Sequence, residues 1–509
     1  MVPVLLACCG LAAQAPQPGS APAAAQARRL SLREALQTAL QYNLQVEISQ
    51  QQREATRADV TVSQGAFDWN LTANAQAQRL NSASSGSLTK GGPFYPQTTT
   101  TYNRTLGVEL AKPFEWGGSL DLNYQPLDYS YSKGTFGNYP TVGNTTYWSG
   151  QTPYTGSFTA TYTQSLLQGF GRRVTTAPVV IARRSAEAAD YTFQLAIIDL
   201  MAQVEADYWQ VVANQRILDS KRTSLELARK LLDENMIKLK VGTMAPLDVT
   251  SAEAQVAKAE QDIISAEADL ANAKDTLVRD LYPNAERPAA LELTDAPTLG
   301  HIILGENAAV RMALDRRLEL KRARADKDVK ALQVEVGQDQ VRPQLNAFVA
   351  YNGASDSHEA MGPVNGDLTG ATYPGYTVGL KFTMPLENRA AKGNLSKARA
   401  NLRGSELNLR DQELSITNAV RQAVRNIEAT EKSVKAAEKT RILQERTLEA
   451  EQKKFDNGMS TNFNVLQYMT QLDQARTSEV QAQIAYATAV TDLEKAVGNL
   501  LEARNFEVK

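Results

Sequence analysis

The chain has 509 residues, with 54 Lys and Arg against 56 Asp and Glu, a formal net charge of −2 and a mean hydropathy of −0.36. That balance offers no basic stripe to nucleic acid. Two histidines far apart in sequence, His301 and His358, and two adjacent cysteines, Cys8 and Cys9, argue against a histidine metal site, a Ser/His catalytic arrangement and, once an N-terminal segment is removed, an internal disulfide.

Residues 2–13 read as a short signal-peptide core, followed by a linker rich in Ala, Pro and Gln as far as Arg28. The basic start of such a signal is missing, as it would be if Met1 lay inside a longer one. Leu5-Leu6-Ala7-Cys8 loosely resembles a lipoprotein cleavage box, which makes Cys8 a candidate lipidated residue, although Leu6 suits its position poorly. Ordinary cleavage near Ala15 or Ala27 is the alternative. No later apolar run reaches the roughly 18 residues that a membrane helix needs. An exported chain of this kind is soluble, or crosses a membrane as a β-barrel.

A first helix of about 36 residues is predicted over 31–65, and strand-like segments follow. Leu71, Ala73, Ala75 and Ala77 alternate with Asn70, Thr72, Asn74 and Gln76. Leu106, Val108 and Leu110 alternate with Thr105, Gly107 and Glu109; Leu120, Leu122 and Tyr124 with Ser119, Asp121 and Asn123; Phe158, Ala160 and Tyr162 with Thr159, Thr161 and Thr163. Period-two patterning with one apolar face is the pattern of an outer-membrane barrel. Trp69, Trp116 and Trp148 also fall here, and such side chains prefer a membrane–water interface. Gly169-Phe170-Gly171 is no nucleotide loop, because Val174 stands where the third glycine belongs; it marks the corner where strand becomes helix.

A very long helix is predicted over 178–239, then a tight turn at Gly242 and a shorter helix over 246–281. The plan then recurs. A helix is predicted over 306–340, strands carry Leu345, Ala347, Val349 and Tyr351 and then Tyr376, Val378, Leu380 and Phe382, a long helix spans 395–455, and a turn at Gly458 leads into a helix over 462–502. Ala39-Leu40 is answered by Ala313-Leu314, 274 residues on; Val241-Gly242-Thr243 is answered by Asn457-Gly458-Met459, 216 residues on. Two long copies mixing helix and strand exclude a short-period solenoid and suggest two halves of one closed object. Each long helix has roughly 60 residues, about 90 Å, and matches two shorter ones stacked end to end. The chain can therefore fold into antiparallel hairpins with a break halfway up one side.

Val420, Ile427 and Val434 recur every seven residues, with Ile416 and Ala423 on a second track, which implies left-handed knobs-into-holes packing. A soluble coiled coil has the same period, and a soluble β-sandwich alternates too. Neither explains strands emerging twice from the ends of such long helices.

Over residues 30–502 the chain resembles the TolC family of outer-membrane efflux channels. The resemblance rests on Leu32-Arg33-Glu34-Ala35-Leu36 with Ala39 and Asn43, on the strand-to-helix junction 164–171 echoed by Met384-Pro385-Leu386, and on the turns at Gly242 and Gly458. It implies an α+β membrane protein: a homotrimeric outer-membrane β-barrel in contact with lipid, continued by a long periplasmic α-helical barrel of coiled-coil hairpins, with two internal repeats per protomer. Substrate would pass without chemistry or cofactor, from an inner-membrane transporter through a periplasmic adaptor (membrane fusion protein).

On this plan residues 1–27 are signal peptide and linker, 28–66 the periplasmic helix of repeat 1, 67–166 its barrel strands and extracellular loops, and 167–281 its hairpin. Residues 282–305 form an equatorial connector, 306–341, 342–386 and 387–502 are the matching parts of repeat 2, and 503–509 are a tail. The family usually places four strands per protomer in the barrel. Here 94 residues separate Leu71 from Ser165, against 40 from Leu345 to Pro385. The excess holds two further alternating strands around a Pro113 to Gly118 turn, which either enlarge the trimer's barrel to eighteen strands or project as an extracellular hairpin. Their clean alternation favours the enlarged barrel.

The turns 241–243 and 457–459 match the family's adaptor-docking turns, and as plain structure they are left-handed helix caps. In the family's best-known member two acidic rings narrow the periplasmic mouth just past the second turn. The matching Asn464 and Gln467 are uncharged, so a carboxylate ring is not supported there. A tyrosine that locks that member's gate is replaced by Phe455, which has no hydroxyl to reach Asp248, and the lock's arginine is Ser460. Closure would then depend on packing, amide contacts or other residues. Asp248 also has a plainer role, as an acid at a helix N-terminus. The resulting reading is an efflux duct for small molecules; protein secretion through the same duct, or a structural coiled-coil envelope protein without a pore, are the rivals, and no nucleophile–base pair suggests an enzyme.

Overall fold

The computed structural model describes residues 28–86, 95–136, 145–149, 154–282, 291–297, 300, 305–357 and 373–506. The signal segment with Cys8, both histidines, much of the connector and residues 507–509 lie outside them. The chain forms two compact units: residues 1–47, 197–309 and 420–509 make one, and residues 48–196 and 310–419 the other.

The second unit contains the sheet. Strands β2 (Asn70–Gly86), β3 (Tyr95–Pro113), β4 (Gly118–Phe136), β6 (Tyr154–Ser165), β8 (Gln344–Ser357) and β9 (Tyr373–Thr383) lie side by side in that order, all antiparallel, and a short β5 (Thr145–Ser149) pairs with the far end of β4. The two additional strands thus belong to the main sheet, as their alternation led us to expect. Residues directly opposite in an antiparallel ladder share a face. Leu71, Leu110, Leu122, Ala160, Tyr351 and Tyr376 form one such row across all six strands, and Ala73, Val108, Tyr124 and Phe158 begin the next. The other face carries Thr72, Glu109, Asn123, Thr159 and Asn352. The apolar alternation in each strand therefore adds up to one continuous apolar face. The register slips by one residue between Gln125 and Asp128, at Pro126, which has no N–H to give to the ladder.

The turn between β3 and β4 closes through Phe114 N–H to the Gly118 carbonyl at 2.8 Å. Gly117, at φ +91°, lies so close to the Gly169 carbonyl that a Cβ there would collide with it. Gly169 and Gly171 also have positive φ, and the Gly169 N–H donates to Asp339 at 2.7 Å. These contacts fix the corner between β6 and the helix α4 (Ala177–Lys240), which follows a single turn α3 (Arg172–Thr175). Gly337, in α7 (Leu318–Gln340), brings that helix against Leu395 of α8 (Arg389–Asp456).

The first unit is helical. It contains α1 (Leu32–Tyr42), α5 (Pro246–Leu281), α9 (Asn462–Val497), the terminal turn α10 (Leu500–Ala503) and the adjoining parts of α4 and α8. Val420, Ile427 and Val434 are buried, as the seven-residue period requires; on the second track Ile416 is buried and Ala423 only partly so. From the connector, β7 (Leu291–Leu293) pairs in parallel with β1 (Arg28–Leu30), and the buried Tyr208 hydroxyl donates to the Leu30 carbonyl at 3.0 Å.

The structure corrects one expectation twice. The helix predicted over 31–65 is two, α1 and α2 (Leu44–Gln64), broken at Asn43 with extended backbone at φ −72° and ψ 127°. The helix predicted over 306–340 is also two, α6 (Glu306–Arg316) and α7, broken at Arg317 at φ −61° and ψ 128°. The two breaks are equivalent positions of the repeat. Asn43 compensates locally: its amide donates to the Asp280 carbonyl and its Oδ1 accepts from Gln45 N–H, both at 2.8 Å. Among the described residues no helix is long and apolar enough to cross a membrane.

Candidate functional site at the hairpin turns

The two turns are built alike. At the end of α4, Thr243 N–H reaches back to the Lys238 carbonyl at 3.0 Å and Gly242 N–H to that of Leu239 at 3.0 Å. At the end of α8, Met459 N–H bonds the Lys454 carbonyl at 2.8 Å and Gly458 N–H that of Phe455 at 3.1 Å. Both are Schellman caps, which need a left-handed residue, and Gly242 and Gly458 supply it at φ +83° and +74°. Nothing lies within 4 Å of a Cβ built on either glycine. Conformation, and not crowding, fixes glycine there, and the backbone remains open to a partner.

After the turns, Pro246 begins α5 at a position where the absent N–H costs nothing. Thr461 caps α9, accepting from Asn464 N–H. Val241, Leu247, Met459 and Phe463 are 71–75% exposed. Leu247 and Phe463 are equivalent residues of the repeat, each in the first turn of its helix. Sequence reading missed both; two large apolar residues at the same offset beyond a turn were the available signal.

Behind the turns the helices are tied together by polar contacts. The Asn235 amide donates to Asn462 Oδ1 at 2.8 Å, and the Asn462 amide to the Asp248 carbonyl at 3.0 Å. Both asparagines are almost fully buried. Asp248 is thus engaged through its backbone. Phe455 lies in the core with Leu231, Leu448, Val465 and Met469. The Lys238 ammonium stands 3.9 Å from the centre of its ring and 3.7 Å from Asp456. Ser460 donates to buried Glu451 at 2.5 Å and accepts from the Asn464 amide at 3.4 Å. That hydroxyl, with Lys454 beside it, holds the Glu451 carboxyl below its ordinary range. Gln467 is exposed.

Further from the turns, Lys221 of α4 meets Asp473 of α9 at 2.5 Å and Asp262 of α5 at 3.2 Å, and Ser224 donates to Asp473 at 3.0 Å. Partial burial works against the Lys221 charge; the two carboxylates outweigh it and raise its pKa. The structure therefore gathers Asp248, Phe455, Ser460 and Asn464 around the turns with Asn235 and Asn462, which sequence reading overlooked. Among the described residues there is no group of side chains able to hold a metal ion.

A family model described as outer membrane efflux protein matches residues 127–281 and 309–499. No curated protein matches the sequence. Among solved structures, CusC, studied for folding and transmembrane channel formation, is similar at a TM-score of 0.66 and 14% identity, with 92% of each chain covered. The outer membrane protein VceC of Vibrio cholerae gives 0.63 and 14%, covering 92% of this chain and 96% of its own. The open state of the MtrE outer membrane channel of Neisseria gonorrhoeae gives 0.63 and 17%, covering 92% and 89%. The chain belongs to the outer membrane efflux protein family: it is an outer-membrane protein with barrel strands and long coiled-coil helices, and it extends into the periplasm.

Proposed function

We propose that this chain is the exit duct of a tripartite efflux system, a homotrimer that passively passes small molecules from an inner-membrane transporter and a periplasmic adaptor to the exterior. The sheet carries the reading. One face is continuously apolar, the other is polar, and the edges β2 and β9 have no partner strand among the described residues. Lipid offers nothing to unpaired backbone groups, so an open sheet edge is not tolerated there. Pairing β9 of one copy with β2 of the next satisfies both edges, and three copies then make an eighteen-stranded barrel with Glu109, Asp121, Asn123 and Thr159 facing water.

The adaptor would dock on 241–243 and 457–459, where open glycine backbone is flanked by exposed Leu247 and Phe463. With the tyrosine and arginine of the best-known member's lock replaced by Phe455 and Ser460, closure of the mouth would fall to the Asn235–Asn462–Asp248 bridge and the Lys221–Asp262–Asp473 cluster. The test is reconstitution into planar bilayers. Discrete ion-conducting steps from a detergent-solubilised trimer are expected; a folded trimer that never conducts would overturn the duct in favour of a structural envelope protein.

A further inference from the structure

The sheet confines its acids to one face. Glu109, Asp121 and Asp128 all lie on the polar face, and among the described residues of these strands no Asp or Glu shares the apolar one. The apolar face nevertheless carries cations, at its two ends. At the end near the helices, Lys112 stands 5.6 Å from the centre of the Trp69 ring and donates to the Phe67 carbonyl at 2.5 Å. At the other end Arg79 lies over Tyr102 at 5.5 Å and Arg104 over Tyr129 at 6.0 Å. Tyr131 is close to both tyrosines, at 6.3 Å from Tyr102 and 6.4 Å from Tyr129.

Spacing sets the depth of these two levels. Lys112 and Tyr102 lie ten positions apart on β3, about 34 Å along a strand and about 26 Å along the membrane normal at the tilt of such barrels. The apolar band of an outer-membrane barrel is about 25 Å tall. Trp69 and Lys112 thus mark one edge of the band, and Arg79, Tyr102 and Arg104 the other. That second level is the headgroup zone of the outer leaflet. Arg79 pairs across the ladder with Tyr102, and Arg104 with the neighbouring Ala77. The two guanidinium groups therefore belong to diagonal positions about 7–8 Å apart. Both side chains are exposed, and neither has a carboxylate partner among the described residues. Arginine is suited to bidentate binding of phosphate, and the tyrosine faces hold the guanidinium groups in place without neutralising them.

We propose that Arg79 and Arg104, framed by Tyr102, Tyr129 and Tyr131, bind a phosphate group of the phosphorylated glycolipid of the outer leaflet. The site commits to a lipid because the residues below it on the same face, Ala75, Ala77, Leu106 and Leu127, offer only apolar surface for acyl chains. The inference rests on the outer-membrane placement of the sheet, but not on conduction.

The test uses the full-length protein in detergent, exposed to purified outer-leaflet glycolipid with or without its phosphates, with bound lipid counted by native mass spectrometry. About a tenfold preference for the phosphorylated form is expected, as for charge-assisted bonds. Arg79→Gln with Arg104→Gln should abolish the preference, and Lys112→Gln at the opposite edge should leave it intact. Equal binding of the two lipids by the wild-type protein overturns the site without any variant. So does a preference that survives in the double variant, or displacement of the lipid by an equal concentration of inorganic phosphate, which would indicate a free-anion site. Planar-bilayer conductance of the same double variant should match wild type. A channel that never conducts but keeps the lipid preference would fail the duct and leave this site standing.

Discussion

Replacing Asn462 by alanine should loosen the hairpin turns without unfolding the protein. The buried side chain accepts from the buried Asn235 amide at 2.8 Å and donates to the half-buried Asp248 carbonyl at 3.0 Å. Alanine would leave the Asn235 amide unpaired and remove the extra donor from the Asp248 carbonyl, which keeps its place in the helical ladder of α5. A buried group deprived of its partner costs about 1–3 kcal/mol. The Asn235 amide alone, at the middle of that range, gives about 2 kcal/mol, or roughly a 30-fold shift in a two-state equilibrium. Asn235 Oδ1 already has no partner among the described residues, so this network is only partly satisfied. A network of that kind adds little stability and serves better to fix register, as a single buried asparagine does in a coiled coil. Single-channel recording should show Asn462→Ala open far more often than wild type. Asn235→Ala should show a smaller effect, because the bond to Asp248 survives, and the two changes should be non-additive in a double-mutant cycle. Replacing both asparagines by leucine should preserve or raise the melting temperature while abolishing regulated closure. If Asn462→Ala remains folded and closes like wild type, the bridge does not hold the turns, and the assignment of closure to it fails.

Three further outcomes are expected. Gly242→Val with Gly458→Val should weaken adaptor binding by isothermal titration while trimers persist; each φ above +70° costs a substituted residue about 1–2 kcal/mol, and unchanged affinity would reduce the turns to simple caps. Asn464→Asp with Gln467→Asp should raise cation selectivity and create block by trivalent cations, since three-fold symmetry would make six carboxylates of two changes; exposed Gln467 should account for most of the effect, because Asn464 is partly buried and tied to Ser460, and a selectivity equal to wild type would place both off the mouth. Glu451 titrates below its ordinary 4.5 because Ser460 and Lys454 favour its charged form, so its contribution is full above that pH and is lost as pH falls through the lower folded value; protection from hydrogen exchange at 454–464, taken relative to the intrinsic rate at each pH, should fall on acidification in wild type, and an identical acid response in Glu451→Gln would remove Glu451 as the cause.

Much of this was legible because it is periodic. The two-residue alternation of Leu71 to Ala77 or Tyr376 to Phe382 and the seven-residue spacing of Val420, Ile427 and Val434 are local signals, and the internal repeat checks each against a second copy. The breaks at Asn43 and Arg317 were hidden because neither position holds proline or glycine; the extended conformation at Asn43 is held by a bond to Asp280, far away in sequence. Asn235 and Asn462 were invisible for the same reason. A polar residue on a mostly polar helix announces nothing until its burial is known. The Phe455 position was read by resemblance as a gate residue without its hydroxyl, and only the structure places it in a core under Lys238.

The asymmetry between the repeats divides the labour. Both copies carry the same helices and the same glycine turn, so anything that depends on the turns is present twice per chain. Only the first copy carries the added strands, and they join the sheet instead of the helices. A barrel's circumference grows with its strand number, whereas the mouth proposed at the turns keeps its complement of helices. The insertion therefore cannot widen the narrowest point of the proposed duct. In the proposed barrel it would add perimeter, a polar lining within and lipid-facing surface without. Arg79, Tyr102, Arg104, Tyr129 and Tyr131 all lie on β2, β3 and β4, and the strands of the second repeat carry no arginine among their described residues. The extra hairpin is better understood as an adaptation to the membrane around the proposed duct than to the molecules that duct would pass.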